Sequence, residues 1–532
     1  MYDVIVKGGL IVDGTGARGF DADIGIREGT IEAIGNLSSA RAETIIDAKG
    51  KYVTPGFVDI NNHSDTHWQI FLNPDLESLV RQGITTLVGG NCGSSLAPLT
   101  DKSMLESIQK WTDIRNLNLN WLSVREFLEE VEQRALPVNF ATLLGHGTLR
   151  RGFVRDESRP LRAPELSGMA KLLKLSLREG SIGMSLGLAY VHGRHATEHE
   201  LSTLSAIVGK YDGFCAVHLR NEGKMLPEAV TEVLTLAKTS GVRLHLSHLK
   251  ALGRESWPHV DRALYLLDAF DSQGIDVSFD LSPYTSTASV LYTVLPTWVS
   301  DGGKKLMMER LRDPSLRARI VRELREEHIE YASAFLMASS LNKMIVRTNV
   351  LDIAKAEGKS PEEVILDVLL ASDDRAIISF DTLSEENIEK ELRHPFSLIS
   401  TNGVGYAASH VSTGESVHPR SFGAFPRVLA RYVREKKILS WEEAIHKMTG
   451  KPAQKAGLTN RGILAVGNFA DLVVLDPETV EDHATLDNPY QYPSGIVSVL
   501  VNGKHAVSNG VYTGVRAGNV LRRKSSFFEK FW

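Results

Sequence analysis

The chain is short of cysteine, of long apolar runs and of charge excess, and each shortage removes a class of protein. Two cysteines, Cys92 and Cys215, stand in 532 residues. That is too few for a disulfide framework and fits a reducing compartment. No apolar run approaches the ~20 residues that span a bilayer. The N-terminus, MYDVIVKGGLIVDG, has no basic stretch leading into an apolar one, so it does not read as a secretion signal. The net charge of −5 offers no basic surplus for nucleic acid or an anionic membrane. The expectation is a cytoplasmic protein with a small-molecule partner. Nothing in the sequence fixes an oligomeric state.

What the chain does have is a regular order of short elements. Residues 1–55 alternate apolar and polar positions between glycine turns (YDVIVKGG, ADIGIREG, ETIIDAKG), and residues 458–532 repeat that texture (FADLVVLD, VSVLVNGK). Both read as strands, so one β-sandwich built from the two termini is predicted. Between them, residues 56–457 alternate strand and helix. Strands are predicted at 56–60, 84–90, 138–145, 182–186, 214–219, 243–247, 275–281 and 396–401, with helical periodicity between, as in LPEAVTEVLTLAKTSG. Eight such repeats predict an α/β fold, a (β/α)₈ barrel. A doubly wound sheet is the alternative, but no glycine-rich phosphate fingerprint follows the first of these strands. The interval 285–373 is too long for one barrel loop and carries a charged helical run, which predicts an inserted subdomain.

Barrel chemistry gathers at the C-terminal ends of the strands. Reading those ends in order gives Asn61 and His63, Cys92, His146, His218, His248, Asp280 with Tyr284, and Asn402. In an extended GFVDINNHSD, Asp59, Asn61, His63 and Asp65 would share one face. A single buried histidine is more often structural, but recurrence of imidazole and thiol at one end of several strands points to a site. Cys92, His218 and His248 are ligand types that Zn²⁺ prefers, and three protein ligands with an open fourth position make a catalytic zinc. His245, three residues before His248, is expected to face the helices, and Cys215, three before His218, to lie in the core.

Two motifs compete with this reading. Residues 183–187, GMSLG, fit the serine-hydrolase elbow, which requires an immediate turn into a helix; the loop-like LAYVHGRHA follows instead. Residues 195–199, HATEH, fit a helical zinc pattern, but Thr197 to Glu200 reads as a capping box, so the helix starts after His195.

The stretches GFVDINNHSD, RQGITTLVGGNCGSSLAP, LLGHGTLR, GMSLGLAY, HLRNEG, SHLK, HPRSFGAFPRVLARYVRE, KMTGKPAQKAGLTNRG and FADLVVLDP together resemble the D-aminoacylase branch of the amidohydrolase superfamily. The likeness runs nearly end to end. It implies a zinc-dependent barrel with a β-sandwich from both termini and a mobile insertion over the site. It also implies hydrolysis of N-acyl-D-amino acids. It places Cys92, His218 and His248 on the tightly held zinc and brings Lys250, Arg420, Tyr190 and Tyr284 to the substrate, the first two at its carboxylate.

Two positions depart from the family pattern. The first-strand motif, normally H-x-H, reads Asn61-Asn62-His63; the eighth-strand S-D-G, whose aspartate is the family's general base, reads Thr401-Asn402-Gly403. Both losses fall on a second, weaker metal site, so a single zinc is expected. Asn402 stands at the catalytic position without a base's chemistry. His63, Glu222 or Asp65 is then the substitute base, or Asn402-Gly403 deamidates to restore a carboxylate, or the pocket binds or runs a different reaction.

Overall fold

A computed structural model describes residues 1–101, 104, 119–327, 329–339 and 346–523. Among them, eight parallel strands form the central barrel. In chain order these are Phe57–Asp59, Ile84–Gly89, a third strand in two pieces (Asn139–Thr142 and Leu144–Gly145), Gly183–Gly187, Phe214–His218, Arg243–Leu246, Val277–Leu281 and Ser397–Ile399. Each pairs in parallel with the next, from Phe57↔Ile84 round to Leu281↔Ile399. A bridge between Asn62 and Gly403 closes the ring. The strands are buried along most of their length, as covered parallel strands are. Their inward residues, Ile60, Val88, Ala141, Leu143, Phe214, Ala216 and Leu398, fill the lumen. The outward ones, among them Val217, Leu244 and Leu246, pack against the helices.

The helices follow local signals. Leu226–Ser240 opens with a proline in its first turn and stops at Gly241, whose φ of 68° closes the last turn at no steric cost. Glu198–Lys210 starts at the Thr197 cap, which accepts from the Glu200 N–H. His195 therefore lies outside that helix, against Asp301, and cannot share a helical face with His199.

Both termini enter one nine-stranded sheet among the described residues. The join is antiparallel, Tyr52–Pro55 against Leu472–Leu475. The first strand, Tyr2–Ile11, pairs with Ala42–Asp47 through its first half and with Tyr52–Val53 at its end. The change of partner comes at Gly8 and Gly9. A Cβ on Gly9 would stand 2.5 Å from Val53, so this crossing requires glycine. That exchange lets a single sheet enclose its own core of Val6, Ile11, Ile24, Val53, Leu472 and Leu500. Past the sheet the chain returns to the barrel, where the Leu521 N–H donates to the Phe140 carbonyl.

The long interval after the seventh strand forms a separate layer. Strands Ser286–Val290 and Ala334–Ser339 flank Ala376–Asp381 in an antiparallel sheet. Helices Gly303–Arg312, Pro314–Glu326, Val350–Glu357 and Pro361–Ala371 enclose with it a core running from Leu291 to Ile378. This unit ends later than the 373 read from the sequence, because its central strand follows its last helix.

Candidate active site

Cys92, His218 and His248 converge at the C-terminal mouth of the barrel, one ligand atom from each lying within 4.8 Å of the others. Cys92 Sγ is 3.3 Å from His248 Nε2. Two of the three leave the ordinary backbone regions, with φ of 54° at Cys92 and 42° at His248; Asn402, facing them, has 44°. Non-glycine residues adopt this conformation at a cost of about 1–2 kcal/mol, and such cost concentrates where side chains are aimed rather than packed.

The charges of the cluster reinforce one another. Burial alone would raise the Cys92 thiol, but the His248 charge and hydrogen bonds with His218, His248 and His63 hold it well below the ordinary thiol range. Burial and Lys250 push His248 down, yet Cys92 and Glu222 carry it up to about 9. Thiolate and imidazolium thus stabilise each other. Glu222 Oε1 lies 3.0 Å from His248 Nδ1, the ring nitrogen turned away from Cys92, and accepts from Lys250 Nζ at 2.6 Å. Burial raises the Glu222 carboxyl, but Lys250 and the two imidazoles pull it well below the usual carboxylate range. A carboxylate behind a histidine orients the ring and increases its basicity as a ligand.

The opposite side of the mouth carries different chemistry. The first strand ends at Asp59, so the four residues expected on one face separate. Asp59 accepts from the Thr401 backbone at 3.0 Å and from Asn62 at 2.9 Å. Asn61 donates to Asp280 at 3.2 Å. His63 Nε2 lies 3.0 Å from Asn402 Oδ1 and 3.9 Å from Cys92 Sγ. Asp65 turns beneath the Cys92 loop and accepts from the Gly90 N–H at 2.6 Å. Of the substitute bases, His63 alone reaches both Asn402 and the cluster. The Gly403 N–H, the nucleophile a deamidation needs, is held by Thr401 Oγ1 at 3.0 Å.

His245 corrects an expectation. It stands in register with Ala216, a lumen residue, and faces Asp280 across 2.8 Å instead of the helices. The strand ends at Leu246 and His248 sits in a left-handed turn, so alternation counted back from His248 gives the wrong face. Cys215 lies in the core, where burial pushes its thiol up to about 12. Ser185 is a brace: it donates to the Gly90 carbonyl at 2.5 Å and accepts from the Gly93 N–H at 3.0 Å, clamping the Cys92 loop from both sides. The Glu200 side chain does not complete a capping box. It turns to His146 at 2.8 Å and Arg150 at 2.9 Å in a buried cluster that takes His146 away from the mouth.

Two cavities meet the cluster. One is lined by His248, Lys250, Tyr284, Asn402 and Arg420. The wider one runs from Cys92 and Tyr190 to Lys304 and Asp373 of the inserted unit. Lys250, Arg420 and Tyr284 therefore share a chamber, while Tyr190 stands on the other side, its hydroxyl 3.5 Å from His218 Nδ1. Arg420 makes a long contact to the Ala288 carbonyl at 3.4 Å, and burial brings it down to about 10. The buried Tyr284 hydroxyl has no hydrogen-bond partner among the described residues, and burial keeps it protonated. The narrower cavity also holds Glu391, which the sequence reading missed. Its signal was present: in EENIEKELR, Glu391 falls on the same helical stripe as Ile388 and Leu392.

The sequence pattern of the amidohydrolase family matches residues 44–345 and 414–507. A D-aminoacylase of Alcaligenes xylosoxydans xylosoxydans is 31% identical over 525 residues, spanning 99% of this chain and 98% of that one. The N-acyl-D-glutamate deacylase of Bordetella bronchiseptica, solved with zinc and a phosphonate mimic of the tetrahedral intermediate, superposes with a TM-score of 0.82 at 30% identity, over 98% and 99% of the two chains. A D-aminoacylase structure concerned with one-metal activation and second-metal attenuation of a binuclear centre gives a TM-score of 0.83 at 30% identity, over 98% and 100%.

Proposed function

The chain belongs to the amidohydrolase family, and from that premise we propose that it hydrolyses the amide bond of N-acylated, D-configured amino acids with a single zinc ion and His63 in place of the usual carboxylate base. The observation that carries the reading is the intact Cys92–His218–His248 cluster, set beside a cavity whose free-standing cation is Arg420.

The donor set fits zinc on its own chemistry. A thiol already held toward thiolate and two imidazoles, one oriented from behind by Glu222, supply soft and borderline ligands and leave a fourth position open. Asn61 and Asn402 offer only amide oxygens on the other side, which supports one ion. The metal-activation theme of the D-aminoacylase relative is consistent with that count. Zinc, when bound, polarises a carbonyl and lowers the pKa of water to about 7.

The residues do the remainder. Arg420, with Lys250 beside it, holds the substrate carboxylate, and the guanidinium fork suits that group. Tyr284 donates its unpaired hydroxyl to the same end. With its other ring nitrogen protonated, His63 accepts at Nε2 the proton of the attacking water, whose oxygen bonds to the acyl carbon. The Asn402 amide, 3.0 Å from Nε2, is the dipole beside the imidazolium so formed. The C–N bond breaks as His63 returns that proton to the departing nitrogen, leaving a carboxylic acid and a free amine.

Metal analysis tests the site. The purified protein carries one zinc per chain, and Cys92→Ala removes it; a protein without zinc, or one that keeps it after Cys92→Ala, rules the assignment out. The amide at Asn402 also favours a second reading, a homologue that binds zinc and an N-acyl amino acid without turning it over. Hydrolysis of any N-acyl-D-amino acid by the native protein eliminates that alternative.

A further inference from the structure

Glu391 has no place in the chemistry above. It projects from the helix Glu385–Arg393 and is 3% exposed, yet it lines the cavity that holds Lys250 and Arg420. Among the described residues no hydrogen bond or ion pair reaches its carboxyl group. A buried carboxyl left this way costs stability, and such groups persist where something other than the fold uses them.

The charges of the cavity indicate what that is. Lys250 is already matched by Glu222 at 2.6 Å. Arg420 has only a long contact to a carbonyl, so the guanidinium awaits an anion. Glu391 awaits the opposite. Burial pushes its carboxyl well above the ordinary range, and the charge on Lys250 offsets only part of this. A ligand that satisfies both groups carries a carboxylate and a cation. In an N-acyl amino acid the α-nitrogen is acylated and uncharged, so the cation has one place left, the side chain.

We propose that Glu391 is a specificity-determining residue and that the preferred substrates are N-acyl derivatives of basic amino acids, whose side-chain ammonium or guanidinium pairs with the Glu391 carboxylate. This rests on the reading that Arg420 receives the α-carboxylate. With such a ligand every ionic group in the chamber has a partner of opposite sign: Lys250 with Glu222, Arg420 with the ligand carboxylate, and Glu391 with its side chain. An apolar side chain leaves Glu391 buried and unpaired, and an acidic one sets two carboxyls against each other.

Calorimetric binding to the zinc-loaded full chain tests this without requiring turnover. N-acetyl-D-lysine is compared with N-acetyl-D-norleucine, which has the same carbon chain and no charge. The native protein prefers the lysine derivative by about 10–100-fold, the range of a hydrogen bond to a charged group, and Glu391→Gln brings the ratio toward unity. Equal affinities in the native protein overturn the proposal, as does a preference that survives Glu391→Gln or the binding of neither compound. The native comparison stands by itself should the variant fold poorly. If the preference is present but neither the native protein nor Asn402→Asp hydrolyses either compound, the side-chain assignment holds and the hydrolase reading falls.

Discussion

The two sides of the barrel mouth share a scaffold and differ in what their side chains can do. Strands two, five and six deliver Cys92, His218 and His248, a thiol and two imidazoles with ligand atoms within 4.8 Å of one another. Strands one and eight deliver Asn61, His63 and Asn402, two amides and one imidazole. The second side has not collapsed. Asp59 still grips the eighth strand through Thr401, Asp280 takes the Asn61 amide, and Asn402 keeps a left-handed backbone with its oxygen on His63. The difference is therefore one of proton-accepting chemistry inside an ordered frame. It can be probed by restoring the chemistry on one side or by loosening the frame on the other.

Restoring it has the largest expected effect. Asn402→Asp places a carboxylate where the amide now faces His63. Aspartate tolerates the φ of 44° about as well as asparagine does, and the substitution changes almost no volume. General base catalysis contributes about 10²–10⁴-fold, so kcat on N-acetyl-D-amino acids rises by up to that factor. An unchanged or lower kcat in a folded, zinc-loaded variant breaks the contrast between the two sides and makes His63 a sufficient base.

Much of this contrast was legible in the sequence, because barrel geometry converts strand ends into neighbours. The types and positions of Cys92, His218, His248, His63 and Asn402 were readable once eight strands were counted. What escaped depends on local backbone that periodicity does not carry. The run from Asp59 to Asp65 looked like one strand face, but the strand stops at Asp59 and the four side chains go to different partners. His245 was misassigned because the chain turns left-handed at His248. Glu391 escaped for another reason: its place on the buried stripe with Ile388 and Leu392 was readable, but periodicity does not show that this stripe meets a cavity. Likewise the inserted unit closes on a strand, Ala376–Asp381, that resembles a barrel strand in composition but pairs antiparallel outside the ring.

Loosening the complete side from behind has a smaller effect. Glu222 holds His248 Nδ1 and Lys250 together. Glu222→Gln removes the charge and keeps the shape, which leaves both cations short of an anion. Partners of this kind are worth about 10–100-fold in metal affinity. Competition against a chromogenic chelator then shows zinc bound more weakly by that factor while stoichiometry at saturating metal stays at one. Unaltered zinc affinity shows that the three ligands need no support from behind, and the asymmetry of the mouth reduces to ligand identity alone.

The smallest effect is expected where the sequence offered its most tempting false lead. Ser185 sits in a serine-hydrolase motif, yet its hydroxyl is occupied twice, donating to Gly90 and accepting from Gly93. Those two backbone groups flank Cys92, whose φ of 54° needs a rigid loop to hold it. Ser185→Ala leaves a buried carbonyl and a buried N–H without partners, a loss of about 1–3 kcal/mol, read as a lowered midpoint in urea. Activity falls only as far as the loosened loop weakens zinc binding, and excess zinc recovers it. A nucleophilic serine predicts the reverse: complete loss that no metal restores, and indifference of the native protein to chelators. The variant thus separates a residue that holds the Cys92 loop in place from one that attacks substrate.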